Sequence, residues 1–360
     1  MKIALCSGAF ALLGISCAFA QDQNKNPLSI SGYAEVYYQY DVNRPLNNTR
    51  PGFLYSHNRT NEVNLNLAYI KAGYSTGKMR ANLAIAAGTY MNANYSAEPS
   101  VLKNVYEGNV GVKISEKHDL WIDAGILSSH LGFESAVGKD NWTLTRSLFA
   151  ENSPYFETGA KISYTSPSGK WLMSGLVLNG WQRIQRVEGN ATPAFGHQLT
   201  YKPNARLTLN SGSFIGNDNP DSIRQMRYFH NLYAIYQVCD QFGITAGFDI
   251  GTEQHEKGRN GYDIWYTPVL IARYSPTPAF SLTARGEYYR DRDGVIIATS
   301  TPAGFQTWGY SLNVDYQVLA NLVWRTEIRN LNSEDAVFIK RGGAAVHHSA
   351  MAITALAIAF

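Results

Sequence analysis

Charge is what this 360-residue chain has least of. Only 16% of its residues are Asp, Glu, Lys or Arg, against about 25% in an ordinary soluble domain, so surface built to face water is in short supply. Long apolar runs are missing too. Past residue 20 none approaches the ~18–20 residues of a membrane helix, and mean hydropathy is −0.23; a helical membrane protein is excluded. Cysteine is nearly absent. Of three, Cys6 and Cys17 lie in the N-terminal apolar stretch, leaving Cys239, which alone cannot form an internal disulfide. The formal charge of +3 is too small to suggest nucleic acid as a partner. What is abundant is aromatic and flexible: 23 Tyr, 15 Phe, 7 Trp and 31 Gly. That balance points to β-structure with two differently solvated faces.

The N-terminus reads as an export signal. Lys2 supplies the positive start, Ile3 to Phe19 the apolar stretch, and Ala18-Phe19-Ala20 a small-x-small cleavage site. Residues 1–20 are expected to be removed, leaving 21–360 and lowering the formal charge to +2 through loss of Lys2; a lone anchor helix is the alternative. At the other end, residues 348–360 read HSAMAITALAIAF, enough for one tilted membrane strand of ~9–11 residues. Thr354, Leu356, Ile358 and Phe360 share one face. This end resembles the closing strand of bacterial outer-membrane proteins, whose final Phe is part of the signal read by the barrel assembly machinery.

Between these ends, apolar and polar residues alternate in segments of roughly 10–15 residues. Strands are predicted over 28–42, 61–75, 78–92, 104–115, 119–128, 155–166, 170–184 and 195–203. Eight more are predicted over 205–217, 227–239, 241–254, 262–275, 279–292, 305–318, 321–332 and 347–360. Seven tight turns alternate with eight longer loops. Twelve of 13 prolines fall in the proposed turns, loops or N-terminal tail, Pro203 at the Pro203-Asn204 turn that ends its strand, as a closed sheet without free edges requires. Pro268 alone lies inside a strand, predicting a bulge or a shifted register there, and Lys71 breaks phase with Val63, Leu65 and Leu67.

The alternation is clearest over 305–318, where Trp308, Tyr310, Leu312, Val314 and Tyr316 oppose Gly309, Ser311, Asn313 and Asp315. A soluble sandwich would alternate as well. Two features separate the cases. Tyr and Trp gather near strand ends, as interfacial girdles do (Tyr38, Tyr40, Tyr74, Trp121, Tyr164, Trp171, Tyr201, Tyr274, Tyr288, Tyr316). The opposite face carries charge along its whole length, which at membrane depth only a water-filled lumen would solvate. The expected fold is all-β: a transmembrane, antiparallel, up-and-down barrel of 16 strands, wide enough to hold an aqueous channel. The few residues ahead of the first strand leave no length for a plug domain, so function is expected in lumen and loops.

The longest loop, 129–154, carries Leu131, Phe133, Trp142, Leu144, Leu148 and Phe149, too apolar a set to stay in water, together with Glu134, Asp140, Arg146 and Glu151. It is expected to fold inward and narrow the lumen, with those four charges as constriction candidates; a rim loop against neighbouring loops or a partner subunit is the alternative. Strand phase places Arg273, Arg285, Arg325 and Arg329 inside with Glu287 and Glu327, and Arg80, Lys113 and Lys161 inside on the other side. Facing rows of charge would order water and favour small polar solutes. A surplus of cations would favour anions. Ion pairs that merely satisfy one another are the competing account of any one of these residues.

Ile30-Ser31-Gly32-Tyr33 leading to Tyr38-Gln39-Tyr40-Asp41 resembles the opening strand of the OmpL-like β-barrel porins of Bacteroidetes outer membranes. So do the hairpin at 61–88, Gly125-Ile126-Leu127 running to Gly132-Phe133-Glu134, Arg146-Ser147-Leu148, and Leu178-Asn179-Gly180-Trp181. The resemblance implies a porin-like channel in the outer membrane of a Gram-negative bacterium, passing small hydrophilic solutes, with outer-membrane lipid as its surroundings. Porins of this strand number are usually trimers, so a homotrimer stands open. A substrate-selective channel for a sugar or small anion, with Tyr33, Tyr37 and Tyr289 as an aromatic track, is the second reading, followed by a closed structural or adhesin barrel. An enzyme comes last. There is no G-x-S-x-G, His255-Glu256 lacks a second His, and His347 and His348 point to opposite faces. No catalytic residue, metal or cofactor is expected.

Overall fold

The computed structural model describes residues 26–360, so the expected signal segment 1–20 lies outside the described residues. Sixteen antiparallel strands close into one barrel. The first eight are β1 (Leu28–Asp41), β2 (Val63–Ser75), β3 (Met79–Ala87), β4 (Val105–Lys113), β5 (Asp119–Ser128), β6 (Phe156–Thr165), β7 (Trp171–Leu178) and β8 (Ala194–Asn204). The rest are β9 (Leu207–Gly216), β10 (Arg227–Cys239), β11 (Phe242–Gln254), β12 (Tyr262–Thr277), β13 (Phe280–Asp291), β14 (Phe305–Leu319), β15 (Leu322–Ser333) and β16 (His348–Ala359). A two-residue hairpin, Phe338–Ile339 with Ala345–Val346, decorates the last long loop. The seam is β1 against β16, from Tyr33↔Ala359 to Asp41↔Met351. Phe360 continues it: its carbonyl accepts from Gly32 N (2.7 Å) and its own N–H donates to Gly32 O (3.0 Å). The Phe360 ring lies over the bare Cα of Gly32, so a side chain at residue 32 would have to displace it.

The barrel is inside out relative to a soluble protein. On β14, Trp308, Tyr310 and Leu312 are 63%, 58% and 60% exposed, whereas Thr307, Ser311, Asn313 and Asp315 on the alternate face are buried. An apolar row of this kind repeats around the wall, with Leu83, Val110, Ile162, Phe195, Leu232, Phe248 and Leu270 all exposed. Only a hydrocarbon surrounding makes that arrangement favourable.

Three local departures from simple alternation have physical causes, and a fourth, expected at Pro268, does not occur. The predicted strand 78–92 stops at Ala87, because Gly88 adopts φ 129° against the Asn66 carbonyl and the chain turns into helix α1 (Thr89–Asn94). The predicted strand 170–184 stops at Leu178, and Trp181 folds inward to stack edge-on against Phe214 and Phe229, with ring centroids 5.0 and 4.9 Å away. Asn66 is a β-bulge, since Glu35 pairs with Leu67 and Val36 with Leu65. The bulge flips phase, putting Val63 outside and Leu67 and Lys71 inside, and so accounts for the break at Lys71. At Pro268 neither a bulge nor a shift occurs. Phe248↔Pro268 pairs in register with β11, and on the β13 side pairing pauses between Tyr266↔Arg290 and Val269↔Glu287 without slipping. The missing N–H costs ladder bonds, not register.

Candidate functional site

The segment between β5 and β6 runs across the interior. It leaves β5 at Ser128, where the His130 ring bonds Glu157 Oε2 (2.7 Å) on β6 and the Ser213 carbonyl (2.8 Å) on β9. Gly132 N donates to Asn231 Oδ1 on β10 (3.1 Å), and Phe133 packs on Tyr233. Farther on, Leu144 N donates to Asn313 Oδ1 on β14 (3.0 Å), Thr145 N to Glu327 Oε2 on β15 (2.6 Å), and Leu148 N to Glu287 Oε2 on β13 (2.6 Å). Lys139 N reaches the Tyr33 hydroxyl on β1. Strands β9 and β1 stand on opposite sides of a 16-strand ring, so these contacts span the lumen. The apolar residues Leu144, Leu148 and Phe149 are at most 1% exposed, which is the energetic reason for the inward course.

The inward charges of β12–β15 hold this loop. Arg285 donates to Thr143 Oγ1 (2.9 Å), the Thr145 carbonyl (2.6 Å), Thr145 Oγ1 (3.0 Å) and Glu327 Oε1 (2.9 Å). Arg325 grips the Gly138 (2.5 Å) and Asn141 (2.9 Å) carbonyls while its Nε bonds Asp315 (2.7 Å). Arg329 bonds Glu287 Oε1 at 2.6 Å. Arg285, Glu287, Arg325, Glu327 and Arg329 are therefore buried beneath the loop and do not form a water-facing row. Alternating signs and the loop's own amides and carbonyls satisfy them, as buried charge demands. Among the described residues Arg273 bonds Ser281 Oγ alone (3.2 Å).

Within the loop the four constriction candidates divide. Asp140 is exposed, paired with Lys139 at 3.1 Å, and Glu134 is half-buried. Arg146 is fully buried and donates to the carbonyls of Ser135, Ala136 and Leu144 at 2.7–2.8 Å, tying the loop to itself. Glu134 accepts from the Ser147 N–H (3.2 Å) and hydroxyl, and Ser147 in turn caps helix α2 (Leu148–Glu151) through Ala150 N. Burial raises the Glu134 carboxyl above its usual range, against the pull of Arg285 and the Ser147 bonds.

Glu151 is buried at the joint with the 43–62 loop, accepting from Tyr55 N (2.9 Å) and Ser56 N (3.1 Å). Burial pushes its carboxyl up to about 7, against those bonds. A carboxyl that holds its proton more tightly when folded stabilises the joint most below its ordinary value near 4.5. That contribution fades as pH rises through about 7. Hydrogen-exchange protection of the Tyr55 and Ser56 amides is thus expected to fall between those pH values, and Glu151→Gln to flatten the profile. Protection that rises over that interval would contradict this account.

The wall from β2 to β6 is different. Arg80 forms a two-bond pair with Asp123 (2.6 and 2.5 Å) and lies 4.3 Å over the Trp121 ring, which consequently faces inward and is no girdle residue. Lys71 pairs with Glu107 at 2.5 Å and Lys113 with Asp119 at 3.9 Å. Lys161, half-buried, stands opposite Asp123. In the first two pairs the cation is the wetter partner: side chains of Lys71 and Arg80 are 28% and 35% exposed against 11% and 5% for their acids. The expected aromatic track is absent as such, since Tyr33, Tyr37 and Tyr289 are buried in apolar clusters.

The sequence reading missed the partners that receive the loop backbone, Asn231 and Asn313, and Asp315, which holds Arg325. Their only signal was a polar residue on an inward phase.

The family described as "Putative beta-barrel porin-2, OmpL-like" matches residues 27–360. The fold is similar to that of an anion-selective porin from Comamonas acidovorans (TM-score 0.59, 10% identity, 92% of this chain and 99% of that one). It is similar to the trimer form of OmpT, an outer-membrane protein of Vibrio cholerae (0.60, 10%, 92% and 99%), and to the outer-membrane channel DcaP of Acinetobacter baumannii (0.59, 10%, 92% and 97%). At such identities the likeness establishes the fold. No curated protein sequence matches the chain.

Proposed function

The chain belongs to the OmpL-like β-barrel porin-2 family, and from that premise we propose that it is an outer-membrane diffusion channel for small hydrophilic solutes, narrowed by the 129–155 segment. The observation that carries this reading is the loop clamped to Arg285, Glu287, Arg325 and Glu327, while Lys71 and Arg80 on the β2–β6 wall stay partly exposed. Because Lys71 and Arg80 are more exposed than their acids, although Asp119 is wetter than Lys113, the channel is expected to favour anions mildly. We further infer export through removal of residues 1–20, recognition of Phe360 by the assembly machinery, and a homo-oligomer, trimeric in form for the Vibrio protein; no catalysis, metal or cofactor enters the reading. Planar-bilayer recording tests it. The reversal potential in a salt gradient is expected to report anion preference, and Lys161→Glu to shift it toward cations. Clear cation selectivity of the unaltered protein would refute the charge argument.

One observation favours a second reading, a closed barrel. At the long-loop end, Phe53, Leu54, Trp181, Ile297 and Phe338 pack with inward Phe214, Phe229, Trp265, Phe305 and Leu331 into a continuous apolar cluster. Liposome swelling with graded sugars separates the two: impermeable vesicles would favour the closed form.

A further inference from the structure

Along the outer wall of β8–β10 the apolar belt is interrupted by one row of polar side chains. Register aligns Phe195, Ile215 and Tyr228 as one outward row, and Tyr201, Leu209 and Ala234 as a row nearer the short turns. Between them lies His197–Ser213–His230, followed by Leu199–Ser211–Leu232. The flanking Phe195, Ile215, Tyr228, Leu199 and Leu232 are 37–49% exposed, so the row lies within the lipid-facing band. The polar groups are linked: His197 Nδ1 to Ser213 Oγ (2.5 Å), His197 Nε2 to Ser211 Oγ (3.1 Å), and Ser211 Oγ to His230 Nε2 (3.3 Å).

With neutral rings, a chain of three such bonds running in one direction leaves one donor at one end and one acceptor at the other. Those ends are Ser213 Oγ and His230 Nδ1, and among the described residues His230 Nδ1 has no hydrogen-bond partner. Acyl chains cannot satisfy either end, and an unmet polar group in hydrocarbon is costly.

We propose that this row is a contact between two copies of the chain. At this depth only lipid tails or another membrane-spanning protein are available. A second copy carries its own row at the same height. A two-fold axis along the membrane normal sets the leftover donor of each copy against the leftover acceptor of the other, as a self-complementary patch requires. A convex barrel wall touches another along a narrow strip, and the row is three strands wide. The contact is compatible with a three-fold contact elsewhere on the wall. It rests on the membrane-barrel part of the proposed function and not on conduction.

Oxidative cross-linking in lipid vesicles tests it, in a Cys239→Ser background because Cys239 is a free, exposed thiol. A mixture of Ser213→Cys and His230→Cys barrels is expected to yield a covalent dimer between the two variants, and Ile85→Cys, outward on β3, to yield none. In detergent, His197→Leu with His230→Leu is expected to weaken the dimer about tenfold. A mixture of Ser213→Cys and His230→Cys barrels that inserts yet stays monomeric, or cross-linking at Ile85→Cys alone, would overturn the proposal. Conducting monomers would defeat this contact and leave the channel reading intact, whereas dimers without conduction would do the reverse.

Discussion

Arg285→Ala is expected to lower the folding stability of the barrel by about 3–5 kcal/mol, the usual consequence of removing one partner from a buried charge network, and to raise single-channel conductance. The guanidinium meets Thr143, Thr145 and Glu327 together, and its Nε lies 3.4 Å from Glu287. Alanine would leave Glu327 without its cation and Glu287 with Arg329 alone. The least costly response is for residues 143–148 to lift away so that water reaches both carboxylates. Arg285→Lys should recover only part of the loss, because an ammonium cannot address four acceptors in one plane. Urea unfolding in lipid vesicles reads the stability and bilayer recording the conductance. A destabilised variant of unchanged conductance would show that the loop does not limit flow.

Leu312→Arg should cost about 2–4 kcal/mol, the price of a cation on the lipid face near mid-depth. Leu312 stands two positions from Tyr310 and four from Trp308 and Tyr316 on the same outward row, and is 60% exposed in the bare barrel. In a soluble sandwich an arginine at so exposed a site would be nearly neutral, within about 0.5 kcal/mol. The two surroundings therefore predict different outcomes for one substitution. Ser163→Arg, on the inward phase of β6 beside Trp121, should change folding by no more than about 1 kcal/mol. Folding yield into vesicles of defined thickness measures both. Equal tolerance at 312 and 163 would contradict a lipid-facing Leu312.

Much of the barrel was legible because a strand repeats every two residues and lipid and lumen make opposite demands on its faces. The sixteen strands were placed to within a few residues except where Gly88 and Trp181 turn the chain early, and both exceptions depend on contacts with distant segments, the Asn66 carbonyl and the Phe214 and Phe229 rings. The Lys71 phase break was visible but not its cause, since a bulge at Asn66 shows only when the partner strand is known. For the candidate site, phase turned Arg285, Glu287, Arg325, Glu327 and Arg329 inward but could not say what they would meet.

What the sequence determined alone was the two-faced wall and its strand number, because these follow from local periodicity and the cost of charge in hydrocarbon. Only the tertiary structure decided which charges are covered and which meet water. The loop is held largely through peptide groups, Gly138 O, Asn141 O, Thr145 N and Leu148 N, and every residue type carries those alike. The scarcity of charge belongs to the outer wall; the fate of the few charges present was set by where one apolar loop came to rest.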